Sequence, residues 1–303
     1  DGEIMLAIII PYYKLTFFEA TLDSLAAQTN QNFKVYIGDD ASEESPTDLL
    51  SKYRGKFKFV YHRFEINLGG ISLTKQWGRC ISLAGNEEWI MILGDDDVLG
   101  ENVVQAFLAN FLEVEKEGIN LIRFSTQSID KVKNIISKVY VNPKLEKATD
   151  FYYRRYSGLV RSSLSEHVFR KESFLKHKFK NYPLAWHSDD YAWIEFAENK
   201  PVFAINDAVI TVIVSSESLT GSKANLIKKN IAQSLFYMDL VKNKLNLFDK
   251  NMRLPLLLQA EIAIKTNRKL TVKEWNVLFF EYLKNYSTLP TLKFIRRFVK
   301  SLF

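Results

Sequence analysis

The feature that most constrains the fold is a regular alternation of strand-like and helix-like segments over the first 120 residues. Short apolar runs bounded by turn residues predict buried strands, and apolar residues spaced three and four apart predict helices. The predicted strands are 6–10, 34–38, 57–61 and 88–93, and the predicted helices begin near 16, 45, 71 and 101. Such βαβ repetition predicts an α/β fold with a mostly parallel central sheet flanked by helices.

The later part of the chain has a different order of predicted strands and helices. Strands are predicted at 121–125, 136–141, 202–205 and 209–214, and helices at 225–245, 251–266 and 271–285. The sequence therefore predicts three parts, 1–120, 121–220 and a C-terminal helical region, 221–303. Two local patterns predict helix starts: Thr16 and Glu19 have capping-box spacing, and Ser45-Pro46 has the order of an N-cap followed by a first-turn proline.

Acidic residues follow two of the predicted strands. Asp39-Asp40 ends one strand, and the triplet Asp95-Asp96-Asp97 ends the apolar run 89–93. In parallel sheets, ligands bind outside the carboxyl ends of the strands. Adjacent carboxylates repel one another, and a hard divalent cation with oxygen ligands relieves that repulsion. A solvated acidic turn would explain one cluster alone, but two clusters on one predicted edge favour a site for a metal-bound, phosphate-containing ligand.

Composition excludes several classes of protein. Cys80 is the only cysteine, so neither an intrachain disulfide nor a cysteine-based zinc site can form. No run approaches the roughly 18 apolar residues of a membrane-spanning helix. The early apolar run is stopped by Pro11 and lacks the basic flank and cleavage pattern of a signal peptide. We therefore expect a cytoplasmic protein.

Positive charge is concentrated at the end of the chain. The net charge is +6, and residues 284–303 carry five basic residues and no acidic one. Residues 292–303 have the pattern of a basic amphipathic helix. One interpretation places this tail on an anionic membrane surface, as a peripheral contact. The other is a last helix docked on the body of the protein. The sequence leaves both open.

Several short motifs, taken in order, resemble the inverting family 2 glycosyltransferases with the GT-A fold, of the bacterial polysaccharide and O-antigen type. The matching pieces lie within the first 195 residues and are 8–13 (IIIPYY), 24–29 (SLAAQT), 38–42 (GDDAS), 67–70 (NLGG), 93–97 (LGDDD) and 188–193 (SDDYAW). The resemblance implies a nucleotide-sugar donor, a divalent cation and transfer to a hydroxyl group. It makes 1–120 the nucleotide-sugar-binding half and 121–220 the acceptor-side half.

The resemblance also implies residues for donor binding. Asp40 would accept the imide N–H of the base, and an acceptor-only carboxylate suits uracil or thymine without separating them. Pro11 and Tyr13 would contact the nucleoside, and Gly69 would let the backbone approach the donor. For Asp40 the alternative interpretation is an ordinary strand-end turn. For Tyr13 it is a loop aromatic, and for Gly69 a plain turn. Arg79 could approach the diphosphate, although a solvated helix charge is the default.

For the cation, the resemblance leaves two registers open. In the first, Asp96 is the principal ligand of Mg²⁺ or Mn²⁺ and Asp95 reaches the ribose or diphosphate, with Gly94 replacing an acidic residue. In the second, Asp95 and Asp97 flank the metal. In either register the ion would neutralise charge on the departing nucleoside diphosphate.

For the acceptor side, the resemblance implies that Asp190 is the general base, with Asp189 as the alternative. Both could instead cap the predicted helix 191–197. Trp186 and His187 would line a pocket for a glycan or lipid-linked saccharide acceptor, or be packed surface residues. Cell-surface polysaccharide synthesis would be the setting.

Three other functions compete. A nucleotidyltransferase would also use strand-end carboxylates, but it needs a glycine-rich basic loop that residues 11–14 do not offer. A non-enzymatic polyanion-binding protein would leave the acidic clusters unexplained, and we expect no nucleic-acid partner. An inactive transferase is the third alternative.

Overall fold

The computed structural model describes residues 5–215, 225–286 and 288–301. The chain divides into two compact units. The sheet unit comprises the described residues of Asp1–Asn181 and Ala192–Ser222, and the helical unit those of Tyr182–Tyr191 and Lys223–Phe303. The three-part division at 120 and 220 is finer than this one and stays a prediction.

The sheet unit is organised by a central sheet, which has ten strands in the part of the chain described. They are β1 (Leu6–Tyr12), β2 (Phe33–Asp39), β3 (Phe59–Arg63), β4 (Trp89–Ile92), β5 (Val98–Leu99), β6 (Leu121–Asp130), β7 (Ile135–Ile136), β8 (Leu145–Lys147), β9 (His167–Arg170) and β10 (Pro201–Val214). The order is β3-β2-β1-β4-β9-β6-β10-β5, with β7 beside β6 and β8 beside β10. Strands β3, β2, β1 and β4 run parallel, as do β6 and β10, whereas β9, β5, β7 and β8 run antiparallel to their partners.

Helices flank this sheet and build the helical unit. They are α1 (Phe18–Ala26), α2 (Thr47–Ser51), α3 (Leu73–Ile81), α4 (Val103–Lys116), α5 (Ala148–Tyr156), α6 (Lys171–His177), α7 (Ser188–Phe196), α8 (Leu226–Lys244), α9 (Lys250–Lys265), α10 (Val272–Asn285) and α11 (Leu289–Lys300). Helices α8–α11 belong to the helical unit. The predicted α/β class with a C-terminal helical region is confirmed. Of the helices in the described ranges, none has the length and apolarity needed to cross a bilayer.

The two predicted helix starts are wrong in detail. Helix α1 begins after Phe17, and no side chain caps it. Glu19, the expected capping partner, instead forms an ion pair with Lys52 at 3.3 Å. Burial of Phe18 therefore sets this start, rather than a capping box. Helix α2 begins at Thr47, one residue later than predicted, with its proline in the cap position.

Three predicted strands also differ. Only Ile135–Ile136 and an isolated bridge between Thr126 and Tyr140 remain of the strand expected at 136–141. The two late strands are one, β10, whose register shifts between Ile205 and Val209. The Asn206 side chain accepts from the Ser125 hydroxyl at 2.9 Å, so a polar contact fills the interruption that looked like a loop in the sequence.

The innermost strands carry the core and position the site. Strand β1 lies between β2 and β4, and its register pairs Tyr12 with Asp39 and Ile9 with Ile92. These strands are almost wholly apolar because helices cover both faces of the sheet. Since all three run parallel, their carboxyl ends meet at one edge. The acidic residues that follow β2 and β4 therefore lie on either side of the end of β1.

Candidate functional site

The end of β1 joins the two acidic clusters. The backbone N–H of Asp40 donates to the Tyr12 carbonyl at 3.1 Å. On the other side, Oδ2 of Asp95 accepts from the backbone N–H groups of Tyr13 and Lys14 at 2.8 and 2.9 Å. Pro11 lies beside Gly38 in the β1–β2 register, and 41% of the Tyr13 side chain is exposed at this edge. The structure thus brings the predicted donor residues together.

Asp39 is a structural residue. Its buried carboxylate accepts from the Tyr61 hydroxyl at 2.7 Å and from Arg63 at 2.8 Å. The backbone N–H of Ser42 donates to it at 2.8 Å. Burial, together with this carboxylate, raises the pKa of Tyr61 to about 12. Asp39 therefore fixes the ends of β2 and β3 and has no spare surface for a ligand.

Asp40 holds the loop 67–70 against the sheet edge. Its carboxylate accepts from the backbone N–H groups of Leu68 and Gly69 at 2.7 and 2.8 Å. Arg79 on α3 donates to it at 2.5 Å. A Cβ on Gly69 would lie 2.5 Å from Oδ2 of Asp40, so only glycine fits there. A carboxylate has about four lone-pair positions, which leaves one for a further donor. Base binding by Asp40 stays a prediction.

Arg79 is not a solvated helix charge. Its guanidinium stacks on Phe64, 3.9 Å from the ring centroid, and donates to the Ile66 carbonyl at 2.8 Å as well as to Asp40. This arrangement joins α3 to the loop after β3 and to the end of β2. Arg79 thus acts on the site through Asp40.

The three carboxylates of the triplet have different surroundings. Asp95 is occupied by the backbone beyond β1, as described above. Asp97 is buried and accepts from the Ser165 hydroxyl at 2.5 Å and the Ile213 N–H at 3.0 Å. Within the described ranges, no other residue donates a hydrogen bond to the half-buried side chain of Asp96. Asp96 is therefore the one carboxylate of the triplet whose side chain accepts no hydrogen bond from another described residue.

Burial and mutual repulsion both act on the triplet. Burial raises the pKa of Asp95. Burial, with the charges of Asp97 and Asp95, raises the pKa of Asp96 to about 8, and burial raises that of Asp97 to about 6. A cation at this point would favour the ionised forms. The edge is thus electrostatically suited to hold positive charge.

The metal assignment can be tested against the residues present. The described part of the chain holds no group of three His, Cys, Asp or Glu side chains arranged to enclose a metal ion. The triplet is therefore not a complete protein cage. Mg²⁺ commonly binds through one or two carboxylates together with substrate phosphates and water, and Asp96 fits that arrangement. Roles for Asp95 and Asp97 as metal ligands stay predictions.

Ser165, which the sequence analysis did not identify, positions the acidic turn. Its hydroxyl donates to Asp97 and accepts from the Gly94 N–H at 3.0 Å. Ser165 lies just before β9, which pairs with β4, so the sheet brings it to the turn from 68 residues away. A lone serine in a loop carries no sequence signal of this role.

The predicted acceptor residues lie in the helical unit. Helix α7 begins at Ser188, so Asp189 and Asp190 occupy its first turn. Oδ2 of the buried Asp190 lies 2.7 Å from Nδ1 of His187. The His187 ring stacks on Phe236 at 4.6 Å with 14° between the planes, and its φ is 66°. His187 is thus packed, and it fixes the orientation of the Asp190 carboxylate.

Trp186 is the second residue predicted to line the acceptor pocket. It is half-buried, and Nζ of Lys229 lies 4.6 Å from its ring centroid. Trp186 and His187 therefore have different surroundings, one beside a cation and the other inside an aromatic cluster. Their roles, and those of Asp189 and Asp190, stay predictions.

Comparison with known proteins gives the family. The family described as "Glycosyl transferase family 2" matches residues 7–174. Protein CgeD of Bacillus subtilis (strain 168) is 23% identical over 261 residues, an alignment that covers 78% of this chain and 58% of CgeD. The chain thus spans less than two thirds of the length of that relative.

Solved structures show the same fold. S. aureus TarS 1–349 in complex with UDP-GlcNAc matches with a TM-score of 0.65 at 14% identity, covering 91% of this chain and 79% of that one. The same TarS fragment in complex with UDP gives a TM-score of 0.61 at 14% identity, covering 91% and 80%. The GT-A architecture that the sequence motifs implied is confirmed.

Removal of the Ser165 hydroxyl should weaken the acidic turn. Ser165→Ala leaves the buried Asp97 carboxylate with one backbone donor, so we expect the free energy of unfolding to fall by about 1.5–3 kcal/mol. Urea denaturation measures it. Ser82→Ala is the control, because that exposed hydroxyl bonds only within α3 and should change stability by less than about 0.5 kcal/mol. Equal stability of the two variants would contradict the positioning role.

Proposed function

This chain belongs to glycosyl transferase family 2, and we propose that it moves a sugar from a UDP- or dTDP-sugar to a hydroxyl group of a glycan or lipid-linked saccharide, with inversion. The observation that carries this proposal is the open Asp96 carboxylate between two carboxylates already bound by the protein. It lies on the same sheet edge as the loop held by Asp40. Family membership favours this function over nucleotidyl transfer and over polyanion binding without catalysis.

The donor proposal rests on what the edge offers. The remaining acceptor position on Asp40 suits a base with a ring N–H. The likeness to TarS, solved with UDP-GlcNAc and with UDP, favours uridine over thymidine. The exposed Tyr13 ring and the backbone around Gly69 would contact the nucleoside. Asp95, which holds the backbone at Tyr13 and Lys14, would keep the turn after β1 and the acidic turn in fixed register.

Asp96 would hold Mg²⁺ or Mn²⁺, with the donor diphosphate and water supplying the other oxygen ligands. When bound, the ion would neutralise charge on the departing nucleoside diphosphate. Asp97 would act indirectly, by holding the acidic turn through its hydrogen bonds with Ser165 and Ile213. Its two protein donors occupy both of its oxygens, so Asp96 would be the carboxylate that faces the ligand.

Asp190 would take the proton from the acceptor hydroxyl as that oxygen forms a bond to the anomeric carbon and the carbon–phosphate oxygen bond breaks. Its contact with His187 would hold the carboxylate in one rotamer. Asp189, next to it in the first turn of α7, is the alternative base. A glycan or lipid-linked saccharide acceptor would pack a sugar face on the Trp186 ring.

Helix α11 supports a peripheral membrane contact, in cell-surface polysaccharide synthesis at the inner face of the membrane. The helix docks on α10 through Phe294, whose ring stacks on Tyr282 at 4.6 Å. Its other side exposes Leu292, Ile295 and Val299 beside basic residues. The interpretation as a docked helix therefore describes the side of α11 that carries Phe294. The interpretation as a membrane contact describes the opposite, exposed side. We propose that the exposed side lies on anionic lipid.

The metal and donor proposal is tested by thermal unfolding with UDP and Mn²⁺. UDP at about 100 times its Kd should add about 2.7 kcal/mol of stability, a rise in Tm of several degrees. We expect this rise only with metal, and we expect Asp96→Asn to abolish it. Glu101→Gln, an exposed carboxylate change, is the control. Equal UDP stabilisation without metal, or in Asp96→Asn, would refute the assignment; dTDP in the same assay compares the bases.

The catalytic proposal is tested with Asp190→Asn. We expect donor binding to persist while transfer falls by about 100-fold or more, because the proton acceptor is lost. Release of nucleoside diphosphate from a sugar nucleotide, measured with and without glycan acceptors, gives the rate. Asp189→Asn is the matched variant, and a loss confined to it would move the base to that residue. Undiminished turnover in both would place the base elsewhere.

The membrane proposal is tested by flotation. The intact protein should float with phosphatidylglycerol vesicles but not with phosphatidylcholine vesicles, and the triple change Leu292→Ser, Ile295→Ser, Val299→Ser should lose most of that binding. Leu112→Ser, an exposed leucine of α4, is the control. Flotation of the triple variant at the level of the control would remove the basis of the proposal.

A further inference from the structure

The helical unit contains an open cleft of about 680 Å³ at the end of α9, the start of α10 and the end of α11. The proposed transfer reaction does not use it. Five of its ten lining residues are cations and none is acidic; the cations are Lys265, Arg268, Lys269, Arg297 and Lys300.

Three of the five cations are fixed by two carboxylates. Glu261 is buried and accepts from Lys265 at 2.6 Å and from Arg297 at 2.9 Å. Glu274 accepts from both terminal nitrogens of Arg268, at 2.6 and 2.8 Å. These pairs hold the side chains in place at the cleft instead of leaving them free in solvent. The basic wall is therefore preorganised.

Glu274 also connects the basic wall of the cleft to the start of α10. Its carboxylate closes a capping box with Thr271 at the first turn of α10. The bond from Arg268 is the main reason why the pKa of Glu274 falls to about 2. The carboxylate thus stays ionised, and Arg268 stays at the cleft, over the whole range of pH at which the protein would work.

Two cations remain without compensation. Lys269 and Lys300 have no acidic partner in the ranges that the structure describes, so the two carboxylates leave three of the five positive charges unbalanced. Like charges gathered in one concavity raise the local potential and attract an anion. A phosphate group carries about two negative charges at pH 7, and it matches this excess better than a single carboxylate does.

The cleft also has an aromatic wall. Trp275 and Phe298 both line it, with 5.2 Å between their ring centroids. Nζ of Lys265 lies 5.3 Å from the centroid of the Trp275 ring. Cations beside aromatic faces suit a ligand that joins a charged group to an apolar or planar part.

We propose that this cleft is a second anion site, which binds a phosphate or diphosphate group. The group belongs either to a soluble molecule or to a lipid headgroup that ends in a phosphate, and both present the same charged oxygens. The site lies wholly within the helical unit, so it does not rest on the donor site of the sheet unit.

The test is titration calorimetry with inorganic pyrophosphate in metal-free buffer. We expect binding by the intact chain that weakens as salt rises. The double variant Lys269→Gln, Lys300→Gln should bind at least about tenfold more weakly, because it loses both uncompensated cations. Lys293→Gln, Arg296→Gln is the matched control. It removes the same charge from α11 outside the cleft, and its affinity should stay within about twofold of the intact chain.

A second titration distinguishes the two sources of the phosphate. Short-chain phosphatidic acid, kept monomeric so that no membrane surface is present, should bind more tightly than pyrophosphate if the natural ligand is a lipid headgroup, and less tightly if it is a soluble phosphate. Both results support the site, provided the cleft variant loses the binding. Absence of binding by either probe, or equal losses in the cleft and control variants, would overturn it. Unchanged stabilisation by UDP and Mn²⁺ shows that the cleft variant is folded and separates this result from the donor site.

Discussion

The hydrogen bonds from the backbone at Tyr13 and Lys14 to Asp95 hold the acidic edge together. They join the end of β1 to the turn after β4, and the pairing of β1 with β2 carries the same constraint to Asp40. These bonds thus hold together two segments that lie more than 80 residues apart in the chain. Without this bond, the carboxylates would be free to separate and relieve their repulsion in solvent. The edge keeps its charge density because backbone amides stabilise it.

Sequence patterns identified the sheet edge well, for a physical reason. Buried parallel strands must be apolar along their whole length, so 6–10 and 88–93 were visible. The carboxylates that follow 34–38 and 88–93 had to share one edge with the end of 6–10. Patterns of this kind report burial and local geometry. They predicted that Asp39-Asp40 and Asp95–Asp97 would share one edge, and the register places both at the carboxyl ends of the strands that flank β1.

Contacts between distant segments were not visible in the sequence. Ser165 reaches the acidic turn only because β9 pairs with β4, and no local pattern encodes that pairing. The capping box at Thr16 failed because α1 begins after Phe17, which puts Glu19 at the second helical position and not the third. Likewise, Arg79 was read as a solvated helix charge, whereas folding places it on Phe64 and Asp40. The residues of the basic cleft come from three separate helices, so the sequence indicated only the basic charge of the last segment.

Gly94 has a consequence for the size of any neutralising partner. A single methyl group at this position would lie 3.0 Å from an oxygen of Asp96 and 3.0 Å from an oxygen of Asp97. The main chain itself therefore forms the floor beneath the two carboxylates, and any side chain at position 94 would push against them. Within the chain, the positive charges of Lys14 and Arg161 act on Asp96 and Asp97, and a small cation is the partner that we propose for the remaining charge.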